Sequence, residues 1–335
     1  MLPVVDIAPL FGPPSVARDA VDAAIKASAG DLGFMQVTGF PGIEQISPEN
    51  RSRLKAIFDV SDAAKRRMMR VNFNPDSTNI YRGWYPAQPG IRSYKEGIDI
   101  GPDVAGETLV SDDPLRELTP LPTDVEAPGW RAVAADYYGL MESLGAALLR
   151  SIARGLGVAE NRFKALFENG ISSFRLAYYP PRTPQSFGGQ NQKLAEIQHH
   201  GETLYLSGVA HIDSGFITLL AQDGVPGLQV EVGGNWVDAP PRDDALVVNF
   251  GKLLQTWTGG AIRATRHRVV SRGEPRYSIP FFYEPAAEAV IRPLPGRGDF
   301  EPFSYGDFLW DATTKFVEQE AVRHLRPHAA LVRVS

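Results

Sequence analysis

Two stretches of this chain, HIDSGFITLLAQD at residues 211–223 and HRVVSRGEPRYSIPFFYEP at residues 267–285, carry the reading of its fold and its chemistry. Within them stand His211, Asp213, His267, Arg276 and Ser278. On an extended strand alternate side chains share a face, so His211 with Asp213, and Arg276 with Ser278, can each converge on one ligand. His267 has to come from another strand, which suits a barrel that returns a late strand beside an earlier one. Two imidazoles and one carboxylate are the facial set that holds non-haem Fe(II) and leaves coordination positions open. The chain has no cysteine, which removes both thiolate ligation and disulfides.

Around these stretches, from Ser172 to Glu284, the sequence is written in short β runs such as LQVEV, WVDA, LVVNF and YSIPFFY, separated by Gly, Pro, Asn and Asp. Gly233, Gly234 and Asn235 stand where a hairpin turn is expected. Many short strands in succession predict a sandwich or barrel. Helical signals lie outside this region. Ser47 as N-cap and Pro48 at the first helical position predict a helix through RSRLKAIFDVSDAAKRRMM. From Trp130 to about Leu156, Val133, Tyr137, Leu140, Met141, Leu144, Leu148 and Ile152 recur at three- and four-residue steps, an apolar stripe that buttresses the barrel from outside. Ser304 predicts the start of a last helix, from Tyr305 to about Ala321, and His324 and His328 beyond it are read as surface residues. A rival H-x-E set, His200 with Glu202 and His199 beside it, follows the polar stretch SFGGQNQKLAEIQ; these read as solvated loop histidines.

Taken in order, LPVVDIAPL, GDLGFMQVTGFPGI, FRLAYYPPR, HIDSGFITLLAQD, LQVEVGGNWVDAPP, LVVNFG, ATRHRVV and RYSIPFFYEP resemble the isopenicillin N synthase-like family of Fe(II)- and 2-oxoglutarate-dependent oxygenases nearly end to end. The resemblance implies a mainly β fold with surrounding α: a double-stranded β-helix, or jelly-roll, barrel with buttressing helices. It implies a single oxygenase domain over residues 1–335, with a mixed helical region at 1–165, the catalytic core at 166–292 and a helical tail at 293–335. Carried over by motif, His211, Asp213 and His267 ligate Fe(II), and Arg276, Ser278 and Tyr179 receive 2-oxoglutarate. Of the two adjacent tyrosines, Tyr178 then packs outside the barrel. The chain departs from common family patterns at Ala177, where many members carry Asn, and at Lys252, where an acidic residue is frequent. Some relatives use the Arg and Ser pair for a substrate carboxylate and need no 2-oxoglutarate.

The function this implies is oxidation of a small organic molecule by hydroxylation, desaturation or ring closure, with 2-oxoglutarate and O2 converted to succinate and CO2. Two other classes share the residues: a non-oxidative metal-dependent barrel enzyme and a catalytically silent binding protein. For the substrate, the stretch IYRGWYPAQPGIRSYKEGIDIG is expected to lid the barrel mouth and offers Arg82, Trp84 and Tyr85 as contacts. Net charge of −5 gives no basic footprint for nucleic acid. No basic leader precedes the first apolar residues and no transmembrane stretch is present, so neither a membrane nor export is expected and the cytoplasm is the default. The oligomeric state is not legible.

Overall fold

Alternation along the strands is what curls this chain. In the computed structural model, which describes residues 2–106, 110–297 and 299–326, one set of alternate side chains packs outward against helices and the other lines a lumen. Phe174, Leu176, Leu219, Val248, Ile279 and Phe281 belong to the outer, apolar set. The strands of the two main sheets are β1 (Val4–Asp6), β2 (Phe34–Thr38), β3 (Gly83–Tyr85), β4 (Glu96–Ile100), β5 (Ser173–Tyr179), β6 (Glu196–His199), β7 (Glu202–His211), β8 (Ile217–Gln222), β9 (Leu228–Val232), β10 (Asn235–Asp238), β11 (Leu246–Phe250), β12 (His267–Ser271) and β13 (Arg276–Tyr283). Eight of them form one sheet in the order β1-β2-β11-β8-β13-β5-β4-β3, and five form a second in the order β10-β9-β12-β7-β6. The two sheets face each other. Val269 of the smaller sheet packs on Ala177 and Tyr179 of the larger. This is the jelly-roll arrangement that the family resemblance implied, and one of the sandwich or barrel forms that the strand pattern predicted. Between β9 and β10, Gly233 and Gly234 both adopt positive φ, as the two-residue turn demands.

Helices cover the outer face of the large sheet. They are α1 (Val16–Asp31), α2 (Pro48–Lys55), α3 (Asp62–Met68), α4 (Trp130–Gly155), α5 (Lys164–Phe167), α6 (Lys252–Trp257) and α7 (Tyr305–Thr313). Along α4 the expected stripe of Val133, Tyr137, Met141, Leu144, Leu148 and Ile152 is buried, and burial of each large apolar side chain contributes about 1.5–3 kcal/mol. Gly145 lets this helix settle directly on β13, because an added Cβ would lie 2.5 Å from the ring of Tyr283. Tyr137 also donates to the Ile279 carbonyl at 3.2 Å.

Two helices are shorter than the sequence pattern predicts. Ser47 caps α2 as expected, accepting from Asn50 N, but the chain turns at Ala56–Asp59 and Ser61 caps a separate helix, α3. The second serine competes for helix N–H groups and resets the chain. Likewise Ser304 caps α7, yet that helix stops at Thr313 rather than near Ala321, and a short 3-10 turn follows at Glu320–Leu325. His324 is exposed there as expected, while His328 lies outside the described residues. Among the described residues no helix is long and apolar enough to cross a membrane.

Candidate active site

His211 is the last residue of β7 and His267 the first of β12, and the antiparallel register places them directly opposite each other. Their ring centroids are 4.3 Å apart. Asp213 lies two residues beyond the end of β7 rather than on the strand, yet its Oδ1 stands 3.5 Å from His211 Nε2 and 3.6 Å from His267 Nε2. One ligand atom from each of the three falls within 4.8 Å of the others. The orientation of each ring follows from its other nitrogen. His211 Nδ1 lies 2.9 Å from the Val209 carbonyl and His267 Nδ1 lies 3.3 Å from that of Thr265. A carbonyl only accepts, so Nδ1 carries the hydrogen and Nε2 keeps its lone pair for a metal. Burial and the neighbouring His211 push His267 down to about 4, which keeps it in the neutral, ligating form.

Asp213 is held by residues that the sequence reading did not single out. Its Oδ2 accepts from Thr218 Oγ1 at 2.6 Å and from Asn249 Nδ2 at 2.7 Å, which leaves Oδ1 for an ion. Burial raises this carboxyl, but the flanking imidazoles and the Thr218 hydroxyl outweigh it and hold the group well below the usual carboxylate range. The loop itself is fixed by α6. Lys252 N and Leu253 N, first-turn donors without intrahelical partners, donate to the carbonyls of Asp213 and Ser214 at 2.7 and 2.9 Å. Gly251 permits this approach, since a Cβ there would lie 2.2 Å from the Gly215 oxygen. The signal for Thr218 and Asn249 was present in the sequence: each is a polar residue on the lumenal phase of an otherwise apolar strand.

At one end of the lumen, β13 pairs Arg276 with Tyr179 and Ser278 with both Ala177 and Gln222. The Arg276 guanidinium is 3 % exposed; its Nη2 donates to Gln222 Oε1 at 3.3 Å, while Nε and Nη1 have no partner among the described residues. It sits 5.2 Å from the ring centroid of Tyr179. Burial raises the Tyr179 phenol, but Lys95, Arg276 and a hydrogen bond with Ser278 carry it below its ordinary value. Tyr178 faces the other way and stacks on Tyr277 outside the barrel, as its strand phase requires. The arrangement is a buried, unneutralised fork with a hydroxyl on either side, suited to a carboxylate.

Toward the other end opens a cavity of about 140 Å³ bordered by His211 and Asp213. Its apolar wall includes Phe216, Phe282, Leu309 and Phe316, the last standing edge-on to His211 at 5.9 Å. The stretch expected to lid the mouth does run alongside β7: Val209 N donates to Arg92 O and Tyr94 N to Ser207 O. The three residues expected to touch substrate do not line this cavity. Arg82 is buried and donates to the carbonyls of Ile100 and Ile171 and to Ser173 Oγ, tying the stretch to the larger sheet. Trp84 packs edge-on against Phe58 at 5.3 Å, and Tyr85 lies between the guanidinium groups of Arg70 and Arg175. From the same stretch it is Tyr81, Arg92, Ser93 and Lys95 that reach the cavity. A second correction concerns His199, which is buried at the end of β6 with Nε2 3.3 Å from Asp238 Oδ2 rather than solvated in a loop. His200 is exposed at positive φ, and Glu202 pairs with Arg272.

The chain is similar to known proteins over most of its length. Residues 171–285 match the family model described as the 2OG-Fe(II) oxygenase superfamily. A 2-oxoglutarate-Fe(II) type oxidoreductase of Aspergillus fumigatus is 31% identical, the alignment covering 96% of this chain and 92% of that protein. Isopenicillin N synthase of Streptomyces clavuligerus is 28% identical over 92% of this chain and 93% of its own length. Among solved structures, a full-length Neurospora crassa protein crystallised with α-ketoglutarate and 5-formyluracil superposes with a TM-score of 0.72 at 25% identity, covering 92% of this chain and 94% of that one.

Proposed function

Given that this chain belongs to the 2OG-Fe(II) oxygenase superfamily, and is thereby an Fe(II)- and 2-oxoglutarate-dependent oxidoreductase, we propose that it oxidises a small organic molecule in the cavity beside His211, Asp213 and His267. Hydroxylation, desaturation and ring closure are the outcomes open to such a site. Bound iron, with 2-oxoglutarate and dioxygen as cosubstrates, supplies the oxidising equivalent as 2-oxoglutarate goes to succinate and CO2.

The observation that carries the reading is the presence of a metal donor set and an anion receptor in one lumen. His211, Asp213 and His267 offer a nitrogen, oxygen and nitrogen donor set that suits a divalent transition metal and contains no thiolate. Arg276 offers two buried nitrogens, Nε and Nη1, with no acceptor among the described residues, where an unsatisfied buried donor costs about 1–3 kcal/mol. In this proposal the distal carboxylate of 2-oxoglutarate takes them, with Ser278 and Tyr179 adding neutral donors. The rest of the protein's work is placement. Thr218 and Asn249 fix the Asp213 carboxylate, the Val209 and Thr265 carbonyls fix the two imidazoles, and the apolar wall of Phe216, Phe282 and Phe316 keeps water from the reacting substrate.

The test is spectroscopic and needs no substrate. Fe(II) and then 2-oxoglutarate are added to the purified chain under nitrogen, and the visible metal-to-ligand charge-transfer band is followed. The band is expected in wild type, absent in Asp213→Ala, and shifted to much higher 2-oxoglutarate concentration in Arg276→Ala. Iron binding without a band would sink the assignment of 2-oxoglutarate to this site and transfer the anion receptor to a substrate carboxylate.

A further inference from the structure

Beyond the iron and 2-oxoglutarate receptors, one polar group on the cavity wall has no structural occupation. Glu284 directly follows β13 and is 6 % exposed, its backbone pinned by Glu284 N donating to Ser172 Oγ at 3.1 Å. The side chain lines the cavity, and Oε2 finds no hydrogen-bond partner among the described residues; the buried Tyr305 hydroxyl stands behind it, close enough to act on the carboxyl as a hydrogen-bonding neighbour. Both face the open backbone of Gly215 in the loop that carries Asp213. A Cβ at Gly215 would meet Tyr305 Oη at 3.4 Å and Glu284 Oε1 at 3.7 Å. A buried carboxyl oxygen without a partner is rare, and one on the wall of a cavity beside the candidate metal ligands calls for a ligand.

The charges nearby decide what that ligand is. Arg175 gives two hydrogen bonds to Asp99, at 2.5 and 2.9 Å, Arg70 pairs with the same carboxylate, and Lys95 is 3.4 Å from Glu318. These three cations are already neutralised, and Arg92, the remaining cation on the cavity lining among the described residues, is exposed, so the buried wall beside Glu284 holds no spare receptor for a carboxylate. An ammonium head is disfavoured in turn, because Arg82 and Arg175 lie close enough to act on Glu284 electrostatically. Burial pushes the Glu284 carboxyl up to about 8, with Arg82 and Tyr305 offsetting only part of the shift. A neutral carboxyl presents a donor and an acceptor side by side. Phe216, Phe282, Leu309 and Phe316 complete the pocket with apolar surface.

We propose that Glu284, assisted by the Tyr305 hydroxyl, receives an uncharged amide-type edge of the primary substrate, an N–H and a C=O on adjacent atoms, and so orients an otherwise apolar molecule toward the iron ligands. This rests on the reading of the cavity as the substrate site. It assigns Glu284 a specificity-determining role and the substrate a carboxamide, lactam or similar neutral head.

Three probes of nearly the same shape separate the possibilities: benzamide, benzoate and benzylamine, titrated calorimetrically at pH 7 into the full chain under nitrogen, with and without Fe(II) and 2-oxoglutarate. Benzamide is expected to bind at least about tenfold tighter than either charged probe, since the charged heads leave buried groups mismatched. Glu284→Gln, which restores a donor and an acceptor, is expected to keep benzamide within about threefold, and Glu284→Leu to lose about tenfold or more. Equal binding of a charged probe, or no benzamide binding at millimolar concentration, would overturn the proposal. So would a tenfold loss in Glu284→Gln, which decides the matter alone if Glu284→Leu does not fold. A charge-transfer band without benzamide binding overturns this inference and leaves the iron assignment standing; benzamide binding without the band does the reverse.

Discussion

The two ends of the lumen treat buried cations in opposite ways. At the Arg276 end the guanidinium has Gln222 as its only hydrogen-bond partner among the described residues, and no carboxylate is paired with it. At the cavity end Arg70 and Arg175 share Asp99, and Lys95 faces Glu318. A buried charge without a counter-charge is costly in the empty protein and gains when an anion arrives, whereas a neutralised one holds the structure together. Equal burial therefore signals binding at one end and scaffolding at the other.

The comparison breaks most visibly if the two arginines are exchanged in effect. Arg276→Ala is expected to raise the 2-oxoglutarate dissociation constant about 30-fold or more, the lower end of the 2–5 kcal/mol that truncating a charged hydrogen-bonded partner costs, with little loss of stability. Arg175→Met is expected to do the opposite, lowering unfolding free energy by about 3 kcal/mol because it strips Asp99 of its two-point partner, while changing 2-oxoglutarate binding far less. Charge-transfer titration and denaturant unfolding read the two quantities separately. If both variants weakened 2-oxoglutarate equally, the division of the lumen would be wrong.

That division also explains what the sequence disclosed. Groups borne on strands were legible, because period-two alternation tells which side chains share a face: Arg276 with Ser278 was readable from spacing, as was the rule that Tyr178 and Tyr179 face opposite ways, whereas the choice of Tyr179 as the inward one came from the family resemblance. The same alternation was available for Thr218 and Asn249 but passes unnoticed without knowing that Asp213 lies in the loop above them. Contacts at the mouth were not legible. Arg82 and Tyr81 are sequence neighbours in an irregular stretch, and only the tertiary path sends Arg82 into the carbonyls of Ile100 and Ile171 while Tyr81 reaches the cavity. Glu318 comes from a segment that the sequence pattern placed inside a helix, and there too the end of α7 is a tertiary outcome.

Glu284 sharpens the picture of the cavity end, where its Oε2 is buried without a hydrogen-bond partner among the described residues. Its folded-state titration near pH 8 lies above the ordinary glutamate range, so the folded protein retains a proton that the unfolded chain releases. Stability from this group is therefore fully present at low pH and lost as pH rises toward 8. Between pH 5 and 7 wild type should lose about 2 kcal/mol relative to Glu284→Gln, which does not titrate. Urea unfolding of both proteins at the two pH values measures the difference. A gap that stays constant with pH would mean that Glu284 is ionised in the fold, and the lumen would then carry a compensating cation.

The smallest effect concerns how firmly the metal end is preorganised. Asp213 Oδ2 has two donors, and removing one should leave the carboxylate rotationally looser without destroying it. Asn249→Ala is expected to weaken Fe(II) affinity by about tenfold, the low end of what outer partners of metal ligands contribute. Thr218→Val should cost a similar amount, and the double variant more than the sum, because only then is Oδ2 free to swing toward the ion or to solvent. Competition against a chromophoric chelator under nitrogen gives the affinities. If the singles matched wild type and the double fell, the two donors would be redundant. If neither single nor double changed affinity, α6 alone, through Lys252 N and Leu253 N on the loop carbonyls, would be what holds Asp213 in place.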